Sequence, residues 1–246
     1  MIDFDKIPDI DIPAEDAQWL TCFTEGDGWL TYDSTNDKFM VGYEQKDPQV
    51  LKSIRTLLSP WSKGSMFPVS WGGWRLQYSA KYFTYGLMQL FSRHVITAHW
   101  SKLLNTPKHE PTYPGIAGFW DAEGHSSPST ADNVHMYLAI YFGQKEREVL
   151  DDIKALLRAG SVSVLTKSGT VVNIKGRTVV VDGDTHHLCV TTKVNSPLIS
   201  ALLQYSHDTV RKQKLLANIK EVEKWPTTLK AIKEFIRQRD VKNDEV

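Results

Sequence analysis

Two acidic residues, Asp27 and Glu123, sit where side chains could do chemistry. Asp27 lies near the end of Leu20-Thr21-Cys22-Phe23-Thr24-Glu25-Gly26-Asp27-Gly28, and Glu123 in the same place of Ile116-Ala117-Gly118-Phe119-Trp120-Asp121-Ala122-Glu123-Gly124. Each segment is an apolar helical stretch with small residues four apart, Cys22 and Gly26 in one, Gly118 and Ala122 in the other. Each ends acid–small–acid–Gly. Small residues at i and i+4 share one helix face, so two such faces can pack with backbones nearly in touch. That packing brings Asp27 and Glu123 together at two helix C-termini, where the helix dipole and the neighbouring carboxylate both oppose negative charge. A divalent cation relieves the repulsion, and carboxylate oxygens are ligands that Mg²⁺ prefers. Gly28 and Gly124 suit a left-handed residue closing each helix.

The elements around these segments repeat as well, which argues against two unrelated Gly-capped helices. Tyr43 to Leu51 aligns with Tyr141 to Asp151 around a shared Gln-Lys and a shared Val-Leu, and Leu76 to Lys81 aligns with Leu188 to Lys193. In the first copy, Trp29–Asp33 and Lys38–Gln45 read as a hairpin, Gln49–Leu58 as a helix, Ser65–Ser70 and Gly73–Ser79 as a second hairpin, and Tyr82–Arg93 as a helix. In the second copy, Val134–Gln144 reads as a long strand and Val149–Leu157 as a helix. Ser161–Leu165, Val171–Ile174, Val179–Asp182 and Leu188–Lys193 read as strands, and Pro197–Tyr205 closes the copy. The Pro-punctuated stretch Asn105–Pro114 is the linker, and Thr227–Arg239 a basic amphipathic helix.

The paired segments resemble the LAGLIDADG motifs of the LAGLIDADG homing endonucleases, in the single-chain form with two motifs, over nearly the whole chain from Ala14 to Lys224. The resemblance implies an α+β fold of two pseudo-symmetric αββαββα halves packed through their motif helices. Each half would carry a saddle-shaped antiparallel sheet that lies in the DNA major groove. Residues 1–104 would form the first half, 105–114 the linker, 115–225 the second half, and 226–246 an accessory helix and tail. Asp27 and Glu123 would bind the catalytic metal, with Gly26 and Ala122 in the same metal set. Mg²⁺ is the implied ion, with Mn²⁺ or Ca²⁺ able to substitute in binding. Glu25 and Asp121 look structural. Gln45 and Gln144 match a polar position near the end of the second strand that organises water at the scissile phosphate. A basic residue after the last helix of a half completes the pocket: Lys212 is the choice over Arg211 and Lys214, while the first half offers only Arg93, His99 and Lys102.

A phosphodiester repels nucleophiles, so metal ions must neutralise it, activate a water and stabilise the leaving oxygen. A pseudo-twofold protein can aim one half-site at each antiparallel strand, so a double-strand break is the expected product. Sequence would be read by alternate strand residues, because the major groove distinguishes all four base pairs. Arg75, Gln77 and Ser79 alternate with Trp74, Leu76 and Tyr78, while His135, Tyr137, Ala139 and Tyr141 alternate with Met136, Leu138, Ile140 and Phe142. Lys81 and Lys193 follow the recognition strands. Alternation alone suits any half-exposed sheet, so the assignment to DNA comes from the resemblance.

The chain is neutral, with 29 basic and 29 acidic residues, where a DNA binder should be basic. The acid is localised: residues 1–16 hold six acids, and without this segment 28 basic residues face 23 acidic, a net of +5. Two cysteines, Cys22 and Cys189, give no disulfide framework and point to an intracellular, reducing compartment. No apolar run is long enough to cross a membrane. His186-His187-x-Cys189 lacks a second ligand pair for zinc and reads as a strand edge. Three readings remain: a monomeric, metal-dependent endonuclease acting on double-stranded DNA at a long site, an RNA-splicing maturase of the same fold binding intron RNA, and an inactive DNA-binding regulator. Retention of both Asp27 and Glu123 argues against the last.

Overall fold

The computed structural model describes residues 3–130, 135–174 and 177–225. Two helices form its centre, α1 (Ala14–Asp27) and α5 (Tyr113–Glu123), and they pack on each other along their small-residue faces. A Cβ added to Gly26 would lie 2.5 Å from the Ala122 Cβ, one on Gly115 2.9 Å from the Cys22 Sγ, and one on Gly118 would run into the Trp19 carbonyl. Backbone therefore meets backbone across this interface, as the i, i+4 spacing predicts.

Each helix opens a matching series. The first half continues through β1 (Gly28–Asp33), β2 (Lys38–Gln45), α2 (Gln49–Leu57), β3 (Ser65–Pro68), β4 (Trp74–Tyr78), α3 (Lys81–Ser92) and α4 (Ala98–Leu104). The second continues from α5 through β5 (Gly124–Thr130), β6 (Met136–Gln144), α6 (Arg147–Leu157), β7 (Ser161–Thr166), β8 (Val171–Ile174), β9 (Arg177–Val180), β10 (Thr185–Thr192), α7 (Pro197–Tyr205) and α8 (Thr209–Glu223). Both sheets are antiparallel, with orders β1-β2-β4-β3 and β5-β6-β10-β7, while β8 and β9 form a separate hairpin inserted into the second copy. The expected pair of αββαββα halves is present, each with one further helix.

Register fixes which residues correspond. Gly28 faces Tyr43, which faces Leu76; Gly124 faces Phe142, which faces Leu188. The structural partner of Tyr43 is therefore Phe142, as the shared Gln-Lys implies, and Tyr141 corresponds to Gly42. A one-residue slip in a strand exchanges its faces: Tyr43 and Phe142 are buried in the core, and Tyr141 is on the opposite face.

The sheets bury one face under helices. Val41, Tyr43, Leu76 and Tyr78 in the first half, and Leu138, Ile140, Phe142, Leu188 and Val190 in the second, join Leu20, Phe23, Ile116, Phe119 and Trp120 in one continuous core. The acidic N-terminal segment lies on the helical side of the first sheet. Ile10 enters the core, the Pro8 carbonyl approaches Gly86 of α3, and Asp9 reaches Arg93 at 3.7 Å.

Several expectations change. Gly28 and Gly124 are extended (φ −91° and −99°) rather than left-handed, and they are glycines for space. A Cβ on Gly28 would strike the Thr24 carbonyl, and one on Gly124 the Trp120 indole. α5 already begins at Tyr113, and the Thr112 hydroxyl caps it by accepting from the Gly115 N–H. His186 and His187 belong to an inner strand rather than an edge. β5, α4 and α8 are present in addition to the elements expected from periodicity. The Thr227–Arg239 helix and Val134 lie outside the described residues. Among the described residues no helix is long and apolar enough to cross a membrane.

Candidate active site

The motif helices end side by side, and β1 and β5 leave from their last residues. Asp27 and Glu123 are thereby half-buried at one junction, close enough that the Asp27 charge raises the Glu123 pKa. Burial is the larger cause for both: it pushes Asp27 up to about 6 and Glu123 to about 7, against the pull of the Arg211 guanidinium on each. Asp27 also accepts a hydrogen bond from the Gln45 amide at the end of β2. No hydrogen bond joins the Glu123 carboxylate to any described side chain or backbone group.

The inner acids of the two motifs do structural work, and they do the same work. Glu25 accepts from the Ile96 and Thr97 N–H groups at 2.7 and 3.0 Å; Asp121 accepts from the His207 and Asp208 N–H groups at 2.7 and 3.2 Å. Asp121 also takes the Ser206 hydroxyl (2.5 Å) and, across the central interface, the Trp19 indole N–H (2.9 Å). These turns lead into α4 and α8, whose N-caps are Thr97 and Asp208. Burial raises both acids, Glu25 to about 8 and Asp121 to about 6, while the hydrogen bonds from the turns lower them. Glu146 of the second half reinforces the first-half turn by accepting from the Ala98 and His99 N–H groups.

Counting from these caps, Arg211 of α8 corresponds to Trp100 of α4. Arg211 donates to the Trp120 carbonyl at 3.0 Å, the Ala122 carbonyl at 2.7 Å and the Gly124 carbonyl, closing the C-terminus of α5, and its Nε reaches Asp208 at 3.2 Å. A cation at a helix C-terminus is favourable in itself, and this one is also the counter-charge felt by both Asp27 and Glu123. Lys212, the residue chosen from the sequence, instead donates to the Ser206 carbonyl at 2.9 Å. Trp100 is buried against Phe91, so the first half has no basic side chain in that place.

The other expected site residues divide. Gln45 touches Asp27, whereas the Gln144 side-chain oxygen accepts from the Lys145 N–H at 2.7 Å. Gly26 lies beside Glu123, and the Ala122 carbonyl is already engaged by Arg211. Arg75 and Gln77 lie on the open face of β4, Gln77 with its amide 3.4 Å from the Met40 sulfur, and Ser79 is exposed just beyond. His135, Tyr137, Tyr141 and Lys193 are at least partly exposed. Ala139 is buried, and Lys81 is paired with Asp37 at 2.6 Å. His125 and His187, absent from the sequence-based set, flank Tyr141 on the open face.

The donor set suits a hard divalent ion. It offers two carboxylates of raised pKa, one of them without a hydrogen-bond donor, and no larger cluster of His, Cys, Asp or Glu forms among the described residues. An ion held by Asp27 and Glu123 would keep coordination positions for water and phosphate, as Mg²⁺ commonly does.

The arrangement is that of a known fold. Residues 115–201 match the family of LAGLIDADG-like domains. Solved structures similar to the chain include the LAGLIDADG homing endonuclease I-GzeII in complex with its DNA target, at 14% identity over 90% of this chain and 96% of that one, with a TM-score of 0.55. The meganuclease I-AabMI bound to uncleaved DNA aligns at 12% identity over 84% and 90%, with a TM-score of 0.56. I-LtrWI bound to target DNA aligns at 12% identity over 91% and 96%, with a TM-score of 0.52. No curated protein matches the sequence. The chain therefore has the LAGLIDADG homing-endonuclease fold in its two-motif form. Its second half carries a LAGLIDADG-like domain, and its first half repeats the same architecture.

Proposed function

We propose that this protein is a divalent-metal-dependent DNA endonuclease that makes a double-strand break at a long, near-asymmetric site, acting as a monomer. The observation that carries the reading is the meeting of Asp27 and Glu123, from two helix ends, at the junction where the two sheets begin. Such a carboxylate pair costs folding energy unless something cationic is held there. A bound Mg²⁺ would neutralise the phosphodiester, lower the pKa of a coordinated water and stabilise the leaving oxygen. Asp27 and Glu123 hold the ion, Gln45 orients Asp27, and Arg211 fixes the end of α5 while moderating the negative charge. The open sheet faces, with Arg75 and Gln77 on one and Tyr137 and Tyr141 on the other, contact the duplex to either side.

A cleavage selection tests this. The purified protein with Mg²⁺ is offered a randomised DNA library beside the Asp27→Asn/Glu123→Gln double variant. Double-strand breaks at one long site, absent with the double variant, are the expected result. Sequence-specific binding without breaks in Mg²⁺ or Mn²⁺ would overturn the endonuclease reading and turn attention to intron RNA as the ligand.

A further inference from the structure

The open faces of the two sheets differ most at the end nearest the acids. Register makes His125, Tyr141, Gly143 and His187 of the second half equivalent to Trp29, Gly42, Glu44 and Arg75 of the first. The first-half set is closed. The Trp29 indole lies flat on Gly42, where any Cβ would collide with its ring. Arg75 donates to Glu44 through Nε at 2.7 Å and through Nη2, with its guanidinium carbon 5.9 Å from the Trp29 ring centre and 6.0 Å from that of Phe67. Glu44 also accepts from the Trp71 indole at 3.0 Å.

The second-half set is open. A recess of about 580 Å³ lies there, running from Glu123 past His125 and Tyr141 to His187. His125 stacks on Tyr141 at 4.4 Å and 8°, and Ser163 lies 3.2 Å from the His187 Nε2. Gly143 supplies no carboxylate to hold His187. The Nδ1 of His187 is buried and has no hydrogen-bond partner, an arrangement that costs stability until a turn of the imidazole brings that nitrogen to the recess and a ligand.

Resting on the endonuclease reading, we propose that this recess is a base-reading pocket. It would take the N7 acceptor of a purine through one imidazole N–H, that of His187, with the stacked His125 and Tyr141 rings walling the recess, while the first half reads the symmetry-related base pair with Arg75. The chemistry separates the two half-sites. Both purines present N7 in the major groove, but only guanine adds the O6 acceptor that a guanidinium can use together with it. Arg75 retains donors beyond those given to Glu44, because a guanidinium carries five, and it favours guanine. A single imidazole N–H takes N7 of either purine. The second half-site should accept adenine or guanine where the first demands guanine.

The test is a binding selection from randomised DNA with Ca²⁺, using the full chain, followed by grafting. In the grafted variant, His125→Trp, Tyr141→Gly, Gly143→Glu and His187→Arg install the first-half set on the second sheet. Wild type should show guanine at one position and either purine at its symmetry mate. The graft should raise guanine over adenine about tenfold at that mate and leave other positions unchanged. Should the graft fail to fold by thermal melting, His187→Ala provides the reading instead: purine preference at that position falls to none, with the rest of the site intact. An unchanged preference in a folded variant, or a pyrimidine there in wild type, overturns the pocket while leaving the endonuclease reading standing. Absence of any preferred sequence overturns both.

Discussion

The two halves keep the same main-chain contacts and differ in the side chains that line their open faces. Glu25 and Asp121 grip equivalent turns through pairs of backbone N–H groups, and Thr97 and Asp208 cap the helices that follow. Three residues beyond those caps the likeness ends, with a buried Trp100 in one half and Arg211 beside the acids in the other. Farther onto the sheets, Trp29, Glu44 and Arg75 form a closed cluster where His125, Gly143 and His187 leave a recess. Contacts to backbone survive changes in neighbouring side chains, because every residue offers the same N–H and C=O groups. The duplicated scaffold is thus held by inner acids and small residues, and its open faces are left to diverge.

Breaking the scaffold should have the largest effect. Gly118→Leu drives a side chain into the Trp19 backbone, and because neither helix can retreat without opening the core, the expected loss is about 3 kcal/mol. Thermal melting checks this, and an unchanged midpoint would refute the close packing of α1 on α5. Removing Arg211 sharpens the comparison next. Arg211→Met forfeits three bonds to the α5 carbonyls and should cost about 1.5–3 kcal/mol, whereas Trp100→Arg should place a buried charge in the first half and destabilise it at least as much. Denaturant midpoints of the two variants decide the point.

All four motif acids contribute to the pH dependence of stability, and the outer two are the ones a metal ion can relieve. Their folded pKa values, about 6 and 7, lie above those of free carboxylates. Protonation therefore favours the fold: their contribution is complete below about pH 4 and is lost as pH rises through 6 and 7. Without divalent ions, Asp27→Asn should melt a few degrees above wild type at pH 8, and this advantage should vanish near pH 5. Mg²⁺ should raise the wild-type midpoint at pH 8 but not that of the double variant. The smallest effect distinguishes the glutamines. Gln45→Leu frees Asp27 of its donor and should lower the cleavage rate about tenfold, the loss of one hydrogen bond to a charged group. Gln144→Leu should change it less, since the Gln144 side chain accepts from its neighbour's N–H rather than donating to Glu123.

How far the sequence was legible follows from the range of the forces involved. Lys38–Gln45 and Pro197–Tyr205 were correctly bounded because alternation, a β-turn and a Ser-Pro start are local signals. The motif helices were legible through Gly26, Gly118 and their acids, whose pattern has a steric cause. β5 was missed because His125-Ser126-Ser127-Pro128-Ser129-Thr130 has no apolar alternation; it is an edge strand, where Pro is tolerated, and it is recruited by β6. The long helix α8 buries only Leu215 fully, so its apolar stripe is faint. Arg211 could not be separated from Lys212 because its acceptors lie about 90 residues earlier in the chain, and only tertiary packing brings them together. The shared Gln-Lys pairs Tyr43 with Phe142, and burial, with its period of two along a strand, agrees.

In the proposed function, Asp27 and Glu123, one from each half, form a single metal-dependent cleavage centre. Strand-resolved cleavage of the selected target at pH 8 with Mg²⁺ tests it most directly, with wild type, Asp27→Asn and Glu123→Gln at equal occupancy of the DNA. The expected result is that each single variant loses cutting of both strands by at least about a thousandfold, near 4 kcal/mol of transition-state stabilisation, while it binds the target as wild type does. Cutting of both strands at the wild-type rate by either variant would contradict the account.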